Sequence, residues 1–215
     1  MTYLNLVNGV LRRLRENEVA TVQADSYSKL IGDLVNDAKD LVESAWDWSA
    51  LRTTLAINTV DGTYNYSLTG SGDKIKELNV INDTSNLNME YRTNNWFDDK
   101  FYVGTPASGA PEYYTYAGTD SNGDMTIDFY PTPDAVYALR FDSVKRNGVL
   151  SADSDTLSVP ENPVVQLAVA FAVRERGETG GTSTAEYFQI ANKYLSDAVA
   201  HDAGRHPEEL IFFTP

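Results

Sequence analysis

Residues 38–68 read AKDLVESAWDWSALRTTLAINTVDGTYNYSL, and within that stretch the chain changes its period. Ala38, Leu41, Val42 and Ala45 recur at steps of three and four, the spacing of a helix face. From Arg52 onward, Leu55 and Ile57 alternate with polar neighbours, Asp61-Gly62 gives a turn signal, and Tyr64, Tyr66 and Leu68 alternate beyond it. The first half predicts the end of a helix and the second a β-hairpin. At the junction stand Trp46 and Trp48. Two bulky rings so near a helix end predict an anchor of the helix on the adjoining β-domain, with a sugar- or base-stacking platform as the alternative.

Working back from this junction, Asp25 suits an N-cap, and Tyr27, Leu30, Ile31, Leu34, Ala38, Leu41, Val42 and Ala45 form one stripe. Lys29, Asp33, Asp37, Lys39, Asp40 and Glu43 mostly fall outside it. An earlier helix is predicted behind Thr2, with Leu6, Val7, Val10, Leu11 and Leu14 at helical spacing. Its end carries Arg12, Arg13 and Arg15, where cations complement the helix dipole.

Working forward, turns and alternation predict six to eight antiparallel strands, enough for a small sandwich or barrel-like domain. Tyr113 to Ala117 and Met125 to Tyr130 flank the turn Ser121-Asn122-Gly123-Asp124, a strong hairpin signal. The stretch from Asn82 to Ala110 is weakly patterned and predicts one or two short strands in a long excursion. Helical signals return after Ser158. Val164 to Val173 is apolar on nearly every side, so it needs burial by other helices or by another subunit. Gly177, Gly180 and Gly181 form a link, Ser183 with Glu186 has the form of a capping box, and Gly204 ends the final helix.

The predicted fold is therefore α+β. Residues 1–51 and 159–204 form a four-helix bundle from both chain ends, residues 52–158 an inserted antiparallel β-domain, and residues 205–215 an extended tail. That tail contains Leu210-Ile211-Phe212-Phe213, which is too apolar to stand in water. It folds back on its own domain or docks into a partner.

Composition narrows the function. The 215 residues hold 17 Lys plus Arg against 31 Asp plus Glu, a net charge of −14, and no Cys. Disulfides and thiol chemistry are excluded. The acidity is spread along the chain: 5 basic against 8 acidic residues in 1–51, 8 against 15 in 52–158, and 4 against 8 in 159–215. Tight nucleic-acid binding needs a basic patch, and only Arg12, Arg13 and Arg15 cluster. Loose passage of DNA past an acidic wall is compatible with this balance. No membrane contact is expected, since no apolar run approaches the roughly 20 residues of a spanning helix and the N-terminus lacks the charge order of a signal peptide.

Catalytic constellations are weak throughout. His201 and His206 are five apart with a helix-ending Gly between them, and no third metal ligand is evident. Asp120-Ser121-Asn122-Gly123-Asp124 starts like a calcium loop, but its twelfth position is Pro131, and a tight hairpin turn explains the same letters. Gly177 to Ser183 lacks the Lys of a phosphate loop and follows a helix. The pairs Asp98-Asp99 and Asp153 with Asp155 are ordinary in a chain with 31 acids.

Leu4-Asn5-Leu6-Val7-Asn8-Gly9-Val10-Leu11, Ala45-Trp46-Asp47-Trp48-Ser49, Tyr130-Pro131-Thr132-Pro133 and the block from Pro160 through Phe188 to Ala203 together resemble the head-to-tail adaptors of short-tailed, podovirus-type bacteriophages. These are also called tail tubular protein A or gatekeeper proteins. The resemblance implies a structural virion protein of the head–tail junction, assembled in the host cytoplasm, with no catalytic residue and no cofactor. It implies a dodecameric homo-oligomeric ring between the portal protein and the tail nozzle (tail tubular protein B). Such rings often hold a tail fibre or tailspike and let genomic double-stranded DNA pass through a central channel. On that basis Leu210, Ile211, Phe212 and Phe213 are candidates for docking to the portal. Trp96, Phe97, Tyr113, Tyr114 and Tyr116 are candidates for nozzle or fibre contact, since Tyr and Trp are favoured interface anchors. A carbohydrate- or receptor-binding β-module and, at greater remove, an acid-dependent hydrolase are the alternatives.

Overall fold

The computed structural model describes residues 1–72, 75–177 and 182–205, with only the backbone of residues 77, 78 and 182–184. Among these are five α-helices and eight strands, which form two sheets. The described chain divides into two compact units, residues 1–51 with the described residues from Arg146 onward, and Arg52–Lys145. The change of period at Arg52 is thus the boundary between units.

In the helical unit, α1 (Tyr3–Arg13) starts behind Thr2, whose hydroxyl accepts the Asn5 amide at 3.4 Å. Helix α2 (Ser26–Ala45) starts at Asp25 with a reciprocal capping box: the Ser28 amide reaches the Asp25 carboxylate at 2.6 Å, and the Asp25 amide reaches the Ser28 hydroxyl at 3.1 Å. Helix α4 (Glu161–Glu175) packs against α1, α2 and the last helix, α5 (Thr182–Ala203). Val164, Ala168, Ala170 and Ala172 on α4 are buried, as an all-round apolar helix requires. The predicted capping box at Ser183 and the link through Gly180 and Gly181 lie outside the described side chains.

The sequence assigns residues 146–158 to the β-domain; in the structure they belong with the helices. Asn36 exchanges two hydrogen bonds with the backbone of Leu150, at 3.1 and 2.9 Å. Asp153 accepts the Val22 amide at 3.0 Å, and the Tyr3 amide donates to the Asp155 carbonyl at 2.8 Å. Periodicity carries no signal for such contacts, because they join irregular backbone to a helix by single bonds.

The other unit is a sandwich. One sheet runs β1 (Arg52–Asn58), β8 (Ala138–Lys145), β3 (Ile75–Asn82), β4 (Leu87–Asn88); the other runs β2 (Asn65–Ser67), β7 (Met125–Tyr130), β6 (Tyr113–Thr119), β5 (Glu90–Tyr91). Ile57, Val80, Leu139 and Phe141 from the first sheet meet Tyr114, Ile127 and Phe129 from the second in one core. Two expectations are corrected here. The β5–β6 pair is parallel, so the domain is not wholly antiparallel. The Asp61-Gly62 turn does not close a hairpin either: β1 pairs with β8, whereas β2 pairs with β7. The turn itself exists, closed by the Thr63 amide on the Val60 carbonyl at 3.1 Å, but the chain crosses there from one sheet to the other. Tyr66 stabilises the crossing through bonds between its hydroxyl and the backbone of Val60 and Thr63.

The hairpin predicted around Ser121–Asp124 is β6–β7, paired from Tyr113 opposite Tyr130 to Thr119 opposite Met125 with a one-residue shift between Tyr116 and Gly118. Asp120 holds its turn by accepting the amides of Asn122 and Asp124 at 2.8 and 3.0 Å. Asp124 in turn accepts the amides of Gly70 and Gly72, tying two loops together, and these bonds hold its carboxyl below the usual range.

Candidate functional site

Strand β6 sorts the predicted aromatics by parity. Tyr114 and Tyr116 stand on the core face, opposite Phe129 and Ile127, while Tyr113 stands on the outer face opposite Tyr130. The weakly patterned stretch supplies what covers that outer face: a short helix, α3 (Asn94–Asp98), continued by one wide turn over Asp99–Val103. It brings Trp96 to within 5.0 Å of the Tyr113 ring and 5.3 Å of the Tyr130 ring, and Phe97 to 5.9 Å of Phe101.

Of the five predicted contact residues, Phe97 and Tyr114 are buried, whereas Trp96, Tyr113 and Tyr116 are half-exposed; Trp96, Phe97 and Tyr113 gather on the outer face of β6, and Tyr114 and Tyr116 stand on the other. Phe101 and Tyr130, which are not among the predicted contact residues, complete the outer-face cluster, whereas Tyr91 joins the group on the other face. Tyr91 lies 5.8 Å from Tyr114 and 6.1 Å from Tyr116. Tyr102 and Val103, 79% and 80% exposed on the wide turn, are among the most open large apolar side chains described. The sequence shows Trp96, Phe97, Phe101 and Tyr102 as an aromatic group, but without strand alternation it does not say which of them are covered.

Cations sit on these rings. The Arg92 guanidinium lies 5.1 Å from the Tyr113 centroid and 6.0 Å from Trp96, and the Lys100 ammonium lies 5.4 Å from Trp96. Glu90 pairs with Arg92 at 2.7 Å. Nearby, Asp128 accepts from Asn65 at 2.5 Å; partial burial pushes its carboxyl up, with the charge of Asp98 adding to the effect. The surface thus combines stacked rings, exposed apolar side chains and carboxylates, a composition suited to protein contact.

Both tryptophans at the end of α2 have partners inside the helical unit. The Trp48 indole is buried and donates to the Val42 carbonyl at 2.7 Å. Trp46 donates to Asp202 at 3.2 Å, and the same carboxylate accepts the Ser49 amide at 3.0 Å and the Ser49 hydroxyl at 2.6 Å. A groove of about 200 Å³ lies between α2 and α4, lined by Tyr27, Leu30, Ile31, Leu34, Ala172 and Glu175. At its end Arg176 stacks on Tyr27 at 5.1 Å and pairs with Glu16 at 2.6 Å. His201 is exposed on α5. Among the described residues no three His, Cys, Asp or Glu side chains are grouped to hold a metal ion. Leu210, Ile211, Phe212, Phe213 and His206 lie outside the described residues.

Comparison with known proteins gives one family: the family model described as SU10 adaptor protein matches residues 1–209. No curated protein matches the chain.

Proposed function

The chain belongs to the SU10 adaptor protein family, a family of phage structural adaptors, and we propose that it is the head-to-tail adaptor of a short-tailed phage particle. In this reading it forms a ring, dodecameric by analogy, between the portal and the tail nozzle, and DNA passes through the ring during packaging and ejection. The observation that carries the proposal is the family match across residues 1–209.

Physical features support it. A net charge of −14 spread along the whole chain suits a passage past which DNA slides without sticking. The four long helices, α4 touching the other three, are read as one bundle that stacks in the ring. The rings around Trp96, with Tyr102 and Val103 exposed on the turn that follows, are read as the face for nozzle or fibre. Leu210 to Phe213 are read as the portal anchor.

Copy number per purified particle, measured by mass spectrometry against labelled peptides, tests this. About twelve copies, one per portal subunit, are expected. Hundreds of copies would make it a capsid or decoration protein, and absence from the particle would end the structural reading.

A further inference from the structure

The first sheet of the sandwich ends in β1, and one side of that strand is bare. The Thr59 amide donates to the Tyr137 carbonyl at 3.0 Å, just past the end of the β1–β8 ladder. Bonding alternates along antiparallel strands, so Ile57 with Leu139, Leu55 with Phe141 and Thr53 with Ser143 are the bonded pairs. Arg52, Thr54, Ala56 and Asn58 therefore turn their amides and carbonyls away from β8. Ala138, opposite Asn58, has the same phase: its amide and carbonyl go to Thr84 and Asp83 on the far side of β8, both at 2.9 Å. All four outward residues of β1 are exposed, and among the described residues no hydrogen bond reaches their backbone from that side.

A long unpaired edge is a template for pairing with another chain, and folded sheets usually blunt it. The opposite edge of this sheet is blunted, by the two-residue β4 and by a shift of register in β3 between Glu77 and Asn79. Strand β1 has seven residues in unbroken register with β8, no Pro and one charge, Arg52. It holds no carboxylate, in a chain of net charge −14. A second copy can lie along it without setting acid against acid on the two strands.

The strand is also complementary to itself. An antiparallel copy bonds only in registers that set outward residues opposite outward residues, and the register centred on Leu55 uses the whole strand. It sets Thr54 opposite Ala56 of the second copy and Arg52 opposite Asn58, so no like charges meet. These pairs, each formed twice, supply about eight main-chain hydrogen bonds. Thr53 faces Ile57, and Leu55 faces its own counterpart. Leu55 is half-buried against the sandwich core, and a second Leu55 completes its cover.

We propose that two copies of this chain pair through β1, antiparallel and about a two-fold axis at Leu55, joining their four-stranded sheets into one continuous sheet. Copies in a cyclic ring all face one way, so this pair is a form the chain takes outside a ring. The pairing stands on the β1 edge alone and does not rest on the adaptor reading.

The chain has no native Cys, so a single engineered one reports its own counterpart. Leu55→Cys in the full chain, under mild oxidation by copper phenanthroline, is expected to give a disulfide-linked dimer in most molecules. Asn58→Cys is more exposed, yet its counterpart lies about 20 Å away at about 3.3 Å per residue, so several-fold less is expected. Equal yields, or more from Asn58→Cys, would overturn the proposal. Ala56→Pro removes an amide that β8 does not use, so the melting temperature is expected to stay within about 5 °C. Sedimentation velocity over a dilution series is expected to show a monomer–dimer equilibrium for the parent, weakened at least tenfold by Ala56→Pro. A parent that stays monomeric would overturn the proposal, as would dimers or rings that ignore Ala56→Pro. Should Ala56→Pro fail to fold, the yields of the two cysteine variants decide.

Discussion

The ammonium of Lys39 lies 3.3 Å from Oε2 of Glu43, and both side chains are out of solvent, at 1% and 0% exposure. The pair is closed from outside α2 by residue 147: its carbonyl accepts from Lys39 at 3.1 Å, and its amide donates to Glu43 at 3.2 Å. Asp40 takes a third bond from the ammonium at 3.0 Å. Glu43 is the less satisfied partner, since its Oε1 is buried without a hydrogen bond. The first step out of the sandwich and back into the helices is thus fastened by charge.

Removing one partner is expected to cost far more than removing both. Lys39→Met leaves a buried carboxylate and should destabilise the helical unit by about 3–5 kcal/mol. Lys39→Met with Glu43→Leu should come within about 1 kcal/mol of the parent or exceed it. Urea unfolding of the three proteins checks this. Burial pushes the Glu43 carboxyl up despite Lys39, so Glu43 favours the folded state most below the ordinary Glu range and loses that contribution as pH rises through its folded value. Relative to Glu43→Gln, the parent should gain stability on acidification from neutral pH toward that range.

Asp202 gives the opposite sign. Burial alone would push its carboxyl up, but the bonds from Ser49 and Trp46, with Arg205 nearby, outweigh it and hold it below the usual carboxylate range. Its contribution is present above about pH 4 and lost as pH falls through the lowered folded value. Asp202→Asn should therefore flatten the acid limb of the stability curve. Asp202→Ala should cost about 2–3 kcal/mol, seen with a change in Trp46 fluorescence.

These two sites show what the sequence could and could not carry. The caps at Thr2 and Asp25, the change of period at Arg52 and the β6–β7 hairpin were legible because each rests on residues a few positions apart. Lys39 and Glu43 read as surface charges, since their partner at 147 is more than a hundred positions away. The strand assignments around Asp61-Gly62 were right, but which strands pair was not, because a turn signal does not say whether the chain stays in its sheet. The aromatic cluster was half legible: Trp96, Phe97 and Tyr113 were named, while Tyr130 joins them only through register.

Gly32 poses two effects of opposite sign. In the middle of α2, Gly32→Ala would ordinarily stabilise by about 0.5–1 kcal/mol. Here the added Cβ would stand against the Tyr3 hydroxyl and 2.9 Å from Val22 Cγ1. Tyr3 is buried and its hydroxyl accepts from Asn36 at 3.3 Å, so it has little room to move. Overpacking of about 1–3 kcal/mol is expected to win, giving a net loss near 1–2 kcal/mol in thermal unfolding.

Trp96 and Tyr102 separate the structural from the interactive part of the aromatic surface. Trp96 touches Phe97, Tyr113 and Tyr130 and carries both Arg92 and Lys100 on its ring, so Trp96→Ala removes the centre of the cluster. It should cost the sandwich about 3 kcal/mol, at the low end for such truncations because the ring is half-exposed. Tyr102 is 79% exposed and Val103 80%, so Tyr102→Ala with Val103→Ala should change stability by no more than about 0.5 kcal/mol. If this surface is the face for a tail component, the double variant should keep its melting temperature and lose at least tenfold in affinity for that component in a pull-down titration. Unchanged affinity would confine the partner to another surface and leave the cluster a purely structural cover for β6 and β7.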